Sequence, residues 1–371
     1  MREATGKVKR SNRGSAESGD REIGGSGNLT LVLLAADVGG TKTLLGLFAQ
    51  APERPKTIEV GEFTTLDYDS LVPMIREFLK ARGVEARAIR AATFGVAGAV
   101  TDQVARLTNV PWTVDAAAIA PAASLQRVHI LNDLEAMAHS VAVLEPHELQ
   151  VLQQGVSLPD GNAAVIAAGT GLGEAILLNV NGRFIPGATE AGHADWGART
   201  PREIEMLATL SRVYGRCSNE HIISGPGLVN IYQFTHDAFG TRTFLSPAAL
   251  VPARTCVGVG AVDDPADLPA AISRSALEKR CAQCVESLDL FVAAYGAEAG
   301  NLALRSVATA GVYVGGGIAP KILPAFASGL FIDAFHAKEP LSTFVATIPV
   351  AIILNAEAGL LGAAVHANSA A

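Results

Sequence analysis

The sequence predicts an α/β protein built from two similar halves. Three observations carry this. A segment that is apolar, breaks at glycines and resumes as apolar occurs twice, as LTLVLLAADVGGTKTLLGLFAQ and as AAVIAAGTGLGEAILLNVNGRFIPG. Each reads as strand, tight turn and strand, and the recurrence in separate halves suggests an internal duplication. Helical patterns alternate with strand-like runs, as layered α/β structure requires. A chain of 371 residues is also too long for one typical core, which makes two domains the natural expectation.

The elements follow in order. Residues 1–28 are rich in Gly, Ser and mixed charge and hold no apolar run, so they read as a disordered extension. They lack the apolar h-region of a signal peptide and the core of a helix-turn-helix. After the first hairpin comes a helix around SLVPMIREFLKARG, a buried strand in AIRAATFGVAGAV, and a short strand ending at Asn132 and Asp133 before a helix. In the second half, Asn181-Gly182 supplies a further hairpin turn. SALEKRCAQCVESLDLFVAAYG reads as one helix, and SVATAGVYVGGGIAPKILPAF as a strand entering three glycines and a helix with Pro320 in its first turn. The apolar stretch from Ala346 to Ala367 is interrupted by Pro349, Asn355 and Glu357, so it reads as strand and helix and not as a membrane span.

Composition narrows the function. Apolar residues make up 49% of the chain and charged residues 18%, enough to bury a large core. A formal charge of -7 argues against a nucleic-acid partner, whose phosphates need a basic face. The four cysteines, Cys217, Cys256, Cys281 and Cys284, come without a secretory signal and read as reduced thiols. Cys281 and Cys284 form a C-x-x-C, but no second such pair or His pair completes a tetrahedral site in the sequence, so they read as ordinary helix thiols.

The candidate chemistry lies at the glycine tips and their neighbours. In DVGGTKT, Gly39 and Gly40 let the backbone approach a phosphate, Thr41 adds a hydroxyl, and Asp37 suits a hydrated Mg²⁺. A plain hairpin turn is the alternative; a P-loop is excluded by the spacing and by the strand that follows. Gly169, Thr170 and Gly171 form the second tip, and Gly315, Gly316 and Gly317 form a turn against which an adenine or a phosphate can lie. Asp133 is positioned either as a catalytic base or as a helix cap, for which Asn132 is equally suited. Glu190, His193 and Asp195 cluster in GATEAGHADWGAR, with Glu220 nearby, and carboxylates suit vicinal sugar hydroxyls. A metal reading of Glu190, His193 and Asp195 is the minor alternative, since no cysteine or second histidine stands at ligand spacing.

In order, DVGGTKT, LTNVPW, ILNDLEA, AAGTGLGEA, TEAGHADW, SNEHIISGPGLVNIY and GVYVGGGIAPKIL resemble the bacterial glucokinase family of the hexokinase/actin-like ATPase superfamily, in its group without a zinc site. The zinc-bearing group carries a cysteine cluster after the Gly-His motif, where only Cys217 lies here. The resemblance implies two RNase H-like (actin-like ATPase) domains with an interdomain cleft. One would span 29–143 plus 355–371, and the other 144–354. It implies transfer of the ATP γ-phosphoryl group to the 6-hydroxyl of glucose, the first step of glycolysis, in the cytoplasm, with Mg²⁺ accompanying ATP. Carried over by motif, Asn109, Asp133, Glu190, His193 and Glu220 would contact the sugar and Asp133 would be the base. Gly39 to Thr41 and Gly169 to Gly171 would hold phosphates, and Gly315 to Gly317 would border the adenine. Glucose and ATP are the implied partners, and a homodimer is compatible with the resemblance. Lys42 and Thr43 stand where the family often has Asn and then Ala. A kinase for mannose or an N-acetylhexosamine, or a sugar-responsive regulator, are the rival readings.

Overall fold

The computed structural model describes residues 32–107, 110–239 and 255–371. The expected disordered extension, 1–28, lies outside them, as does Asn109. The chain divides into two compact units. One comprises the described residues up to Leu144 together with Glu357–Ala371, and the other Glu145–Ala356.

In the first unit, β1 (Val32–Val38), β2 (Lys42–Ala49) and β3 (Lys56–Thr64) form an antiparallel meander. Helix α1 (Leu71–Ala81) leads to β4 (Ile89–Val96), which pairs parallel with β1. A small three-stranded sheet follows, of β5 (Val100–Thr101), β6 (Val104–Arg106) and β7 (Thr113–Asp115). Then come α2 (Ala116–Ala122), β8 (Val128–Asn132), parallel to β4, and α3 (Asp133–Ser140). The main sheet runs β3-β2-β1-β4-β8. Strand β1 is apolar from Val32 to Ala36 because the sheet is covered on both faces, and turns polar only at Asp37 near its end. Leu34 and Ala36 pack with Met74, Ile75 and Phe78 of α1, whereas Leu33 and Ala35 pack with the C-terminal helix.

The second unit repeats this plan. Strand β9 (Leu149–Gln153) precedes the meander β10 (Ala163–Ala168), β11 (Leu172–Val180) and β12 (Arg183–Thr189). The Asn181-Gly182 turn expected between β11 and β12 is present, with φ of 53° and 78°, as a two-residue hairpin requires. Among the described residues four helices follow: α4 (Pro201–Tyr214), α5 (Gly225–Thr235), α6 (Leu268–Leu277) and α7 (Ala282–Ser306). Strand β13 (Gly311–Gly315) pairs parallel with β10, and after α8 (Leu323–Phe326), α9 (Leu330–His336) and α10 (Ser342–Val345), β14 (Val350–Ile353) pairs parallel with β13. The order is β12-β11-β10-β13-β14-β9, so five of its strands match the five of the first unit in order and direction. The chain ends in α11 (Ala358–Ala370), which belongs to the first unit.

Small residues set the closest packing. A Cβ on Gly362 of α11 would lie 1.7 Å from the Ala136 carbonyl of α3, so the two helices meet backbone to backbone. Gly296 and Gly300 do the same for α7 against α9, where added Cβ atoms would approach the Phe331 and Phe335 carbonyls.

Two local expectations change. The single helix expected across SALEKRCAQCVESLDLFVAAYG is two helices, because Lys279 adopts φ of 54° and breaks the ladder between α6 and α7. Cys281 is therefore the residue capping α7 and not a mid-helix thiol. After the three glycines the chain makes a 3₁₀ turn, Ala319–Lys321, before the short α8, in place of one continuous helix. Pro320 and Pro324 remove two amide donors there. Among the described residues no helix is long and apolar enough to cross a membrane.

Candidate functional site

Each unit carries candidate site residues of its own. In the first, the β1–β2 tip holds Gly39, Gly40 and Thr41. The Gly39 amide donates to the Lys42 carbonyl (3.0 Å), and a Cβ on Gly39 would lie 2.9 Å from that same oxygen. The tip is braced from behind by two buried hydroxyls. Thr65 donates to the Gly39 carbonyl (2.8 Å), which leaves Thr43 to donate to Thr65 (2.9 Å). The Thr43 that departs from the family pattern thus has a structural use. Lys42, the other departure, forms an exposed ion pair with Glu62 (2.7 Å).

Asp37 stands at the end of β1, where burial pushes its carboxyl up to about 6 against the opposing pull of Lys42. The start of α11 packs directly on it: a Cβ on Gly359 would lie 3.0 Å from Asp37 Oδ2. A carboxylate at such a site is a hard oxygen donor, and it sits beside the amide-lined tip. That fits a hydrated Mg²⁺.

The choice between base and cap at Asp133 is resolved in part by its neighbour. Asn132 is the N-cap of α3, its Oδ1 accepting from the Leu134 and Glu135 amides (2.9 and 3.4 Å). Such a cap contributes about 1 kcal/mol. Asn132 Nδ2 donates to the Gly98 carbonyl (3.1 Å), fixing the strand end. Asp133 is the first helical residue, with Oδ1 also accepting from the Leu134 amide (3.0 Å). Gly95 on β4 lets α3 approach the sheet: a Cβ there would meet Ala136 at 2.7 Å.

In the second unit, Glu190, His193 and Glu220 are brought together. His193 lies 4.0 Å from Glu190 and 3.9 Å from Glu220, and all three retain exposed side-chain surface. Local backbone bonds set this: His193 N–H donates to the Glu190 carbonyl (3.0 Å), and Glu220 N–H to the Gly192 carbonyl (2.8 Å). Asp195 is not part of the cluster. It pairs with Arg216 (2.7 Å), which also donates to the His193 carbonyl (2.8 Å). The minor metal reading of Glu190, His193 and Asp195 falls with it.

Glu220 also reaches the second glycine tip. Its Oε2 accepts from the Leu172 amide (3.0 Å), directly after Gly171. The Gly225 amide, at the start of α5, donates to the Gly169 carbonyl (2.8 Å). Gly316 has φ of 85°, and a Cβ there would lie 2.3 Å from the Ala168 carbonyl, so glycine is required where β13 leaves the sheet beside β10.

A cavity of ≈ 810 Å³ opens from these glycines. Gly169, Thr170 and Gly317 line it, and so do residues that sequence reasoning missed: Pro226 and Val229 of α5, Pro269 and Arg274 of α6, Pro265, and Ile318 and Lys321 after β13. The buried Tyr295 of α7, also missed, receives the Ala168 amide on its hydroxyl (3.0 Å) and so pins the strand end below the tip. The GPGL turn and Pro320 were the available signals for part of this wall. Nothing local marked 265–274 as its neighbour.

Two RNase H-like units, each with a glycine-tipped hairpin at the ends of its central strands, define the class: an actin-like ATPase fold. The family model described as Glucokinase matches residues 34–370. The glucokinase of Synechocystis sp. (strain PCC 6803) is 35% identical over 352 residues, covering 92% of this chain and 99% of that protein. The glucokinase of Nostoc sp. (strain PCC 7120) is 36% identical over 342 residues, covering 91% and 98%. Among solved structures, a glucokinase from an Antarctic psychrotroph superposes with a TM-score of 0.77 at 25% identity, covering 91% of this chain and 99% of the other. The chain belongs to the glucokinase family.

Proposed function

We propose that the protein transfers the γ-phosphoryl group of ATP to the 6-hydroxyl of glucose. The observation that carries this is the meeting of Glu190, His193 and Glu220 beside the second glycine tip, in a chain of the glucokinase family. Carboxylates accept from paired hydroxyls, and an imidazole between them can donate or accept, which suits a sugar ring and not an anion.

The residues then take separate roles. Glu190, His193 and Glu220 hold the sugar, with Asn109 as a further contact. Asp133 accepts the proton of the attacking hydroxyl, since Asn132 already caps the helix. Backbone amides of Gly39, Gly40 and Thr41, and of Gly169, Thr170 and Gly171, face phosphate oxygens, where preorganised donors offset the charge that develops in transfer. Gly315, Gly316 and Gly317 border the nucleotide, whose base fits the cavity walled by α5 and α6. Mg²⁺ carried by ATP would neutralise phosphate charge, with Asp37 as its carboxylate. We place the enzyme in the cytoplasm, where ATP and glucose meet.

A panel of glucose, mannose and N-acetylglucosamine, each with ATP, ADP or polyphosphate, tests this. Glucose with ATP is expected to give the highest kcat/KM. A higher value for another hexose or donor, or ADP release indifferent to sugar, would overturn the assignment.

A further inference from the structure

Four side chains outside the site just described converge on one point of the second unit. His236 follows the C-terminal end of α5, Cys256 lies in the segment before α6, and Cys281 and Cys284 are the cap and first turn of α7. One ligand atom from each lies within 4.8 Å of all the others. Cys256 Sγ is 3.7 Å from Cys284 Sγ, and Cys281 Sγ is 3.4 Å from His236 Nε2. Two thiolates at ~2.3 Å from a tetrahedral zinc stand ~3.8 Å apart, and a thiolate and an imidazole nitrogen ~3.5 Å apart. Both spacings match. They are too long for a disulfide, whose sulfurs are ~2.0 Å apart.

The imidazole is also oriented for a metal. His236 Nδ1–H donates to the Tyr232 carbonyl (2.8 Å), one turn back in α5, and the ring lies against Tyr232 with centroids 4.0 Å apart. In the neutral ring this leaves Nε2 as the nitrogen with the free lone pair, and it is the one aimed at the thiols. A ligating histidine fixed through its other nitrogen is the usual outer-shell device. The Cys256 amide is held in turn by the Tyr232 hydroxyl (2.7 Å).

We propose that His236, Cys256, Cys281 and Cys284 bind one zinc ion, as a closed structural site. Three soft thiolates and an imidazole in tetrahedral spacing select zinc over the hard cations and leave no open position for substrate. These are not the cysteines of the zinc-bearing sugar kinase group, because only Cys217 lies near the Gly-His motif. The ion joins the end of α5, the segment at Cys256 and the start of α7. Helix α5 begins at Gly225, which holds Gly169 of the second tip, and α5 and α6 wall the cavity. Zinc thus braces the nucleotide wall from its far side.

The test is metal analysis of the full chain, expressed without a polyhistidine tag and purified without chelator. One zinc per chain is expected, retained in Cys217→Ser and lost in Cys281→Ser and Cys284→Ser. After the metal is stripped, Co²⁺ alone should restore one equivalent with the strong visible and near-ultraviolet absorption of a tetrahedral thiolate site. The stripped protein should melt several degrees lower, with ATP KM raised more than glucose KM. If the serine variants cannot be purified, the zinc content and Co²⁺ spectrum of the unaltered chain still decide. A metal-free protein that gives no thiolate–Co²⁺ absorption overturns the proposal. Four reactive thiols in that protein would mark plain side chains, and two fewer would mark a disulfide.

Discussion

The two glycine tips are copies of one element, yet they are held in different ways. The β1–β2 tip rests on neutral, local bonds: Thr43 and Thr65 are fully buried, and Thr65 follows β3 directly. The β10–β11 tip rests on an ionisable side chain from far along the chain, Glu220, and on the first amide of α5. A Cβ on Gly171 would lie 2.6 Å from Glu220 Oε2, so tip and carboxylate are in contact. The first tip is therefore braced apart from the Glu190, His193 and Glu220 cluster. The second is coupled to that cluster, since one oxygen of Glu220 holds the tip while the other faces His193.

The largest effect should come from the first unit. Asp133→Asn keeps an oxygen for the Leu134 amide and leaves the Asn132 cap intact, but it removes the proton acceptor. Turnover is expected to fall by about 10²–10⁴, with glucose KM changed much less. Near-normal kcat would reduce Asp133 to a helix residue.

The coupling itself is tested in the second unit. Glu190→Gln should cost ~1.5–3 kcal/mol in glucose kcat/KM, roughly 10- to 150-fold, and leave ATP KM unchanged. Glu220→Ala should raise the KM of both glucose and ATP, because the Leu172 amide loses its partner. If ATP KM stays fixed in Glu220→Ala, the two tips are equally independent of the sugar.

The same comparison shows what was legible in the sequence. The hairpins and the Asn132–Asp133 boundary were readable because glycines, caps and alternation are local signals. The local cluster of Glu190, His193 and Asp195 wrongly included Asp195, and it was the motif resemblance that grouped Glu190 and His193 with Glu220. That Asn132 and not Asp133 carries the cap needed coordinates, since both residue types serve. The α6–α7 break was hidden because Lys279 gives no hint of its left-handed backbone. The cavity wall at 265–274 and the meeting of His236 and Cys256 with Cys281 and Cys284 are long-range contacts, which no spacing encodes. The C-x-x-C looked incomplete only because its partners lie 25 or more residues upstream.

Smaller effects sharpen the contrast. Thr65→Val removes the hydroxyl under the first tip and leaves Thr43 without its acceptor, at about 1–3 kcal/mol of stability. ATP KM should rise several-fold and glucose KM should not; a matching rise in both would mean the first tip is coupled as well.

Acid should also act through the first unit. His139 and His366 pack ring to ring (5.1 Å), with His129 beside His366 and Thr93 bonded to its Nδ1 (3.0 Å). Burial holds both His139 and His366 down to about 4. The unfolded rings take protons near pH 6.5 while the folded ones do not. Their stability is thus complete above pH 6.5 and lost as pH falls toward 4, by about 2 kcal/mol per ring at pH 5. The thermal midpoint should drop between pH 7 and 5, and His366→Gln should flatten that drop. An equal slope in the variant would assign it to the carboxylates.

The central claim, phosphoryl transfer to the 6-hydroxyl, is tested most directly by ³¹P NMR of a reaction containing Mg-ATP and glucose. The γ-phosphate signal should be replaced by one phosphomonoester resonance coupled to the two protons on C6, and 6-deoxyglucose should give no ester. A resonance coupled to another sugar carbon, or inorganic phosphate accumulating in place of an ester, would contradict the account.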